Sequence, residues 1–379
     1  MAKKVCVVTK DKMEFNLYQP VVDILQKRGI EVVVVAEGLS MDLWLKAGYE
    51  IYGGLPKEGD FDPNIKTRTD IDPVLVLENM DPDVVMTGLA SPIKLGESFG
   101  RIANQFGIGL GFVEDLWGVH QRSEARPDFI CTLDAYGEKK ILEHVEYDLR
   151  LIAGDETIDC QCNPPDVYVT GSPAMDSLQN VKSDPSVGKA IREANPKRVI
   201  LLGGQGEATT PMVRGVVETL NAIPDKCVVI PRFHPKYMSD LSKVALKDEW
   251  MTLLDQIKPP HVVLWIESSV NTHSLILSST EVVSIFSNLL IEAVVLGRMA
   301  VSWNSEVGQK SMKKSLGEES FPLCQFGAVQ EVWNPTGYLN QVPGFNSKEY
   351  SQQITDAQKV VKSDGKNALR VAEAIIAHL

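Results

Sequence analysis

Four short stretches carry residue types suited to handling an anionic, hydroxyl-rich ligand. Pro231-Arg232-Phe233-His234-Pro235 follows an apolar run, Cys227 to Ile230. Arg232 offers a planar fork of donors matched to phosphate oxygens. His234 at a strand's carboxyl end, held by the following proline, is placed to meet a ligand, although a lone histidine is more often structural. Leu202-Gly203-Gly204-Gln205-Gly206 comes just after another apolar run and before a helical pattern. Its glycines let backbone N–H groups approach an anion closely. A Walker loop it is not, since no Gly-Lys-Ser/Thr follows; the plainer alternative is a mobile turn. Ser287-Asn288 has helix N-cap chemistry, and Glu292 stands in the second turn beyond it, within reach of a ligand hydroxyl. Glu114-Asp115 ends a further strand, with His120 and Arg122 close behind, and either acid could take a proton from an acceptor hydroxyl. Asp11 and Glu14 compete for that role, and each acid is also readable as part of a solvated loop.

These residues need a scaffold that brings strand ends together. Val282 to Phe286, the capped helix ending at Gly297, and Met299 to Ser302 read as a βαβ unit, which is right-handed and lies in a parallel sheet. In such sheets ligands bind outside the carboxyl ends of the strands. An ordinary buried βαβ unit with a capping serine would have the same spacing. Strands are also expected at Val5–Thr9, Val32–Ala36, Val84–Gly88, Ile108–Val113, Asp128–Leu133, Val167–Thr170, Val199–Leu202, Cys227–Ile230 and Val262–Ile266, alternating with helical patterns. The pattern restarts after a polar stretch around Ser183 to Pro196. The expected division is residues 1–175, residues 176–350, and a helical segment, 351–379, crossing back onto the first domain. The loop after the first strand, KDKMEFN, lacks glycine, so no G-x-G-x-x-G dinucleotide fingerprint is present.

Composition narrows the function classes. A chain of 379 residues with 44% hydrophobic and 23% charged residues is long enough for two globular domains. A net charge of −12 argues against a wide nucleic-acid-binding surface but not against a small anion held by a few cations and helix ends. No apolar run approaches the roughly 18 residues of a membrane span, and no signal peptide is evident, so a cytoplasmic location is expected. The six cysteines include Cys6, Cys131 and Cys227 in strand-like runs, expected as reduced core residues. Cys160-x-Cys162 is too closely spaced for a zinc knuckle and has no second pair.

The run Ser287, Glu292, Ala293, Leu296, Gly297, Val301 resembles the nucleotide-sugar subsite of GT-B glycosyltransferases. Within that superfamily it resembles the branch containing CDP-glycerol glycerophosphotransferases, bacterial sialyltransferases and non-hydrolysing UDP-N-acetylglucosamine 2-epimerases. Arg232-Phe233-His234-Pro235 is similar to that branch's R-x-H-P motif. Gly171-Ser172-Pro173 with Asp176 resembles the lead into its interdomain linker, and Phe326-Gly327-Ala328-Val329 the segment after its donor site. The resemblance implies an α/β protein with two Rossmann-like domains whose parallel sheets face each other across a cleft. It further implies transfer of a glycosyl or polyol-phosphate group from a nucleotide-activated donor to an acceptor hydroxyl. Gly203, Gly204, Gln205, Arg232, His234, Ser287 and Asn288 would hold the donor's phosphates, Glu292 its ribose or sugar hydroxyls, and Glu114 or Asp115 would be the base. His234 would also assist the leaving group. No cofactor or metal is expected, as no D-x-D motif is obvious. The partners are the donor and an acceptor glycan, lipid or small molecule, with a homodimer left open. The 2-epimerase motif H-V-E-A-G-L-R reads F-V-E-D-L-W-G here, and Gly88 is followed by Leu89 where an epimerase has an aspartate. Transfer is therefore the better expectation, ahead of epimerisation or non-catalytic binding.

Overall fold

A computed structural model describes residues 3–52, 71–89, 94–153, 164–233, 244–341 and 347–379; for 145–153 and 341 the description is of the backbone alone. His234, Pro235, Cys160 and Cys162 lie outside the described residues. Contacts divide the chain into one unit of Met1–Asp176 with Lys362–Leu379, and a second of Ser177–Val361.

The first unit begins with β1 (Lys4–Thr9), α1 (Lys12–Lys27), β2 (Glu31–Ala36) and α2 (Gly38–Lys46). It continues through α3 (Pro73–Met80), β3 (Val84–Thr87), α4 (Lys94–Phe106) and β4 (Gly109–Val113). β5 (Phe129–Thr132), α5 (Ala135–Ala153) and β6 (Asp166–Val169) complete its sheet. All strands are parallel, in the order β2-β1-β3-β4-β5-β6. Side chains alternate across β1, as the period of two requires. Val5 and Val7 join a core with Leu17, Val21 and Leu25 of α1, while Cys6 and Val8 join another with Leu77 and Phe99. Burial on both faces is why these strands read as continuous apolar runs.

The second unit contains α6 (Pro185–Ala194), β7 (Arg198–Gly203), α7 (Thr209–Asn221), β8 (Cys227–Arg232) and α8 (Val244–Leu254). β9 (Val262–Val263), α9 (Thr272–Ser278), β10 (Glu281–Ser284), α10 (Asn288–Val295) and β11 (Met299–Trp303) follow. α11 (Glu306–Leu316), β12 (Gln330–Val332), α12 (Pro335–Gln341) and α13 (Lys348–Val360) end this unit. Its parallel sheet has the order β12-β11-β10-β7-β8-β9. Succession runs outward from β7 on one side and from β10 on the other, so a topological switch point lies between them. The expected α/β class and the two parallel sheets are both present.

The structure refines the sequence reading at several points. α1 starts at Lys12 because Asp11 and Glu14 form a capping box: Glu14 N donates to Asp11 at 3.0 Å and Asp11 N to Glu14 at 3.3 Å. Pro20 inside the helix disguises its first half in the sequence. Glu14 is buried at 5% exposure, not part of a solvated loop. The polar stretch near residue 190 holds α6, capped by Asp184. Finally, the terminal segment is two helices, α13 and then α14 (Asn367–Ala377), separated after Val361.

α14 belongs to the first unit, where Ala368, Val371, Ala372 and Ile375 enter the α1 core. Asp176 fixes its start, accepting from Asn367 N at 3.1 Å and Ala368 N at 2.7 Å. Loss of these caps in Asp176→Ala should cost about 0.5–2 kcal/mol. Hydrogen exchange followed by mass spectrometry should then show α14 amides exchanging faster; unchanged protection would contradict this anchoring.

Candidate functional site

A cavity of about 590 Å³ opens at the carboxyl edge of the second unit's sheet. Gly203 and Gly204 after β7, Arg232 at the end of β8, and Ser287 after β10 all line it. Parallel pairing sets Gly203 level with Arg232 and Val283 level with Leu202, which brings these distant stretches to one edge. Ser287 caps α10, its Oγ accepting from Leu289 N at 3.2 Å. The positive end of this helix therefore lies at the cavity wall.

The glycine turn works differently from the sequence expectation of open donors. Gly204 N donates to Arg232 O at 3.0 Å and Gln205 N to Thr209 Oγ1 at 2.5 Å, so both amides are already bonded. What Gly203 contributes is room: a Cβ there would come within 2.5 Å of Leu289 Cδ2. Gln205 clasps the Ser287 turn, donating from Nε2 to Phe286 O (3.2 Å) and accepting from Phe286 N at Oε1 (2.8 Å). It binds strand-end turns to each other across the switch point.

Arg232 is half-buried, and burial lowers its pKa. Its guanidinium donates to Thr272 Oγ1 (3.2 Å), Glu267 O (3.3 Å), Ser268 O (2.9 Å) and Val270 O (2.9 Å). Three of these bonds hold the 267–270 loop, which builds the cavity wall at Ser268, and the fourth reaches Thr272 at the start of α9. Glu292 faces His273, Oε2 to Nε2 at 3.4 Å, and neither residue lines the cavity. Asn288 starts α10, and its buried Oδ1 has no partner among the described residues.

Several wall residues were not singled out from the sequence. Phe233 stacks on Trp250 with ring centroids 5.2 Å apart and leans on Trp265 at 6.3 Å. Trp265 is 49% exposed and lines the cavity with Lys247 and Met251. An exposed indole plate beside a cationic wall suits a planar ring. Only Trp265 carried a signal, as a large aromatic at the end of an apolar run. Lys247 and Met251 arrive on α8, whose pattern was not recognised.

The first unit gathers acids at its own carboxyl edge. Glu114 is fully buried: Oε1 accepts from His120 Nδ1 at 2.7 Å and from His120 N at 3.3 Å, while Oε2 accepts from Thr132 Oγ1 at 2.8 Å. Asp134 accepts from Trp117 Nε1 and from the amides of Tyr136 and Gly137, each at 3.0 Å. Burial pushes the Asp134 carboxyl up. Asp115 is half-buried, and burial pushes its carboxyl up to about 6 against the pull of Arg122, with Asp11 and Glu114 adding to the rise. The sequence thus placed Glu114, Asp115, His120 and Arg122 near one another but not the buried pairing within them. Among the described residues, no group of three or more His, Cys, Asp or Glu side chains is placed to hold a metal ion.

No protein-family model and no curated protein sequence matches the chain. Solved structures do. A Listeria monocytogenes protein described as a candidate UDP-N-acetylglucosamine 2-epimerase aligns over 100% of this chain and 97% of its own, with TM-score 0.66 and 16% identity. UDP-GlcNAc 2-epimerase from Neisseria meningitidis, bound to UDP-GlcNAc, aligns over 99% of both chains with TM-score 0.61 and 14% identity. MurG from Acinetobacter baumannii covers 99% of both, with TM-score 0.59 and 12% identity. Likeness at this identity establishes the GT-B fold, and function must be argued from the site.

Asp115 supplies a test of the acidic edge. Its folded-state pKa is raised, so the unfolded chain releases this proton first, and stability falls as pH rises from about 4 through about 6. Asp115→Asn should therefore stabilise the protein at pH 7.5 by about 1–3 kcal/mol, with the gain fading toward pH 4. Thermal unfolding at both pH values checks this; an equal effect at each would contradict the burial account.

Proposed function

We propose that the chain is an enzyme acting on a nucleotide-activated donor, moving its sugar or polyol-phosphate group to an acceptor hydroxyl. One observation carries the reading: Gly203, Gly204, Arg232 and Ser287 line one cavity beside the β7/β10 switch point. Open α/β sheets bind ligands at such a point. Absence of a side chain at Gly204 lets a ligand approach the backbone. Charge at Arg232 and the α10 dipole favour the donor's phosphates. Trp265 supplies a surface for the base, and Lys247 a second cation at the rim.

Within this reading, Gln205 and Asn288 shape the phosphate turn and His234 completes the Arg232 motif. Glu292, steadied by His273, is the partner for a ribose or sugar hydroxyl. Leaving-group charge would be stabilised by oriented dipoles and cations. Glu114 and Asp115 belong to the edge that serves the acceptor.

Epimerisation is the second reading, favoured by whole-length structural likeness to several UDP-GlcNAc 2-epimerases. Against it, Leu89 stands where the epimerase pattern has an acid.

Thermal shift with UDP, CDP, CMP and GDP tests the common part. A nucleotide at 100 times its Kd should stabilise the protein by about 2.7 kcal/mol. Arg232→Gln should lose most of that shift. If no nucleotide stabilises the wild type, the donor site is wrong. Incubation with UDP-N-acetylglucosamine then separates the readings: UDP release dependent on an acceptor marks transfer, whereas a changed sugar configuration with UDP still attached marks epimerisation.

A further inference from the structure

The donor cavity is cationic in an acidic chain. Net charge is −12, yet Arg232 and Lys247 line the cavity and, among the described residues, no aspartate or glutamate does. The two cations are committed differently. The Arg232 guanidinium is spent on protein groups, donating to the carbonyls of Glu267, Ser268 and Val270 and to Thr272 Oγ1. Lys247 is half-buried and has no hydrogen-bond or ion-pair partner among the described residues. Its backbone is nevertheless firmly placed. Lys247 and Met251 stand one helical turn apart on α8 and both line the cavity, so one face of this helix meets it. Trp250 anchors the same helix: it is fully buried, its Nε1 donates to Thr210 Oγ1 at 3.0 Å, and its ring stacks on Phe233. Withdrawing an ammonium from water without a counter-charge is costly, and a ligand anion in the cavity would supply one.

We infer that Lys247 makes the direct ion pair with the donor's phosphate, and that Arg232 is a positioning residue acting through the 267–270 loop. This rests on the nucleotide-donor reading and divides the two cations by task. The loop follows Trp265 and Ile266, which line the cavity together with Ser268. Holding three of its carbonyls fixes that wall, and the planar fork of an arginine is what makes several such bonds possible at once. An uncommitted ammonium on a flexible stem can instead swing onto a phosphate oxygen without breaking any bond the folded chain already has. Removing the Arg232 fork therefore loosens the wall, whereas removing the Lys247 ammonium takes away only charge.

The test compares wild type, Lys247→Gln, Lys247→Arg and Arg232→Lys by calorimetric titration with UDP, and by hydrogen exchange without ligand. Lys247→Gln should weaken UDP binding about 10- to 100-fold, the loss expected for one charge-assisted hydrogen bond. Lys247→Arg should recover most of it, and about 1 M NaCl should narrow the gap between wild type and Lys247→Gln. Arg232→Lys, which keeps the charge, should speed exchange of the 264–271 amides, while Lys247→Gln leaves them unchanged. Undiminished UDP affinity in Lys247→Gln would overturn the inference, as would a loss that high salt does not narrow. So would an Arg232→Lys variant with wild-type exchange and affinity. Pyrophosphate as a second probe separates the inference from the nucleotide reading. If wild type binds no nucleotide but binds pyrophosphate, and Lys247→Gln weakens it, the lysine's role stands and the donor reading falls. Binding of neither anion by wild type would overturn both.

Discussion

Parallel strand pairing is the constraint from which the site descends. Strands joined by right-handed crossovers all finish at the same edge, and their following turns must gather there. In the second unit, β7 and β10 are hydrogen-bonded neighbours although about eighty residues apart, because succession reverses between them. Arg232 and Ser287, unremarkable singly, share a cavity wall for that reason. Gln205 secures the arrangement by bonding both polar groups of its amide to Phe286. That single side chain replaces two backbone partners where the ladder has ended, so drift of the turn from the strand edge would strand part-buried polar groups.

Much of this was legible in the sequence, for a physical reason. Strands buried on both faces leave compact apolar runs, and Ser287, Gly297 and Gly107 punctuate them with cap and turn chemistry. What escaped detection depended on partners remote in the chain. Arg232 looks like a free phosphate fork, yet three of its donors are committed to the loop at residues 267–270 and a fourth to Thr272. Glu114 looks like an available base, yet Thr132 and His120 enclose it. Pro20 obscured the first half of α1, and the aromatic wall of Phe233, Trp250 and Trp265 is assembled from three elements with no shared periodicity.

The two units treat charge differently. At the second sheet's edge, Arg232 and Lys247 stand by the cavity with an exposed indole, an environment that favours a flat anionic ligand. At the first sheet's edge, carboxylates are withdrawn from water and held by hydrogen bonds, with Asp115 and Asp134 pushed upward by burial. Buried acids cost stability unless they are paired, and catalytic sites concentrate such groups.

A crystal structure with UDP bound is the most direct measurement. The account places the diphosphate against Gly204, Arg232 and the start of the helix at Ser287, with the uracil ring near Trp265. Density for UDP anywhere else, with that cavity left empty at saturating nucleotide, would contradict it.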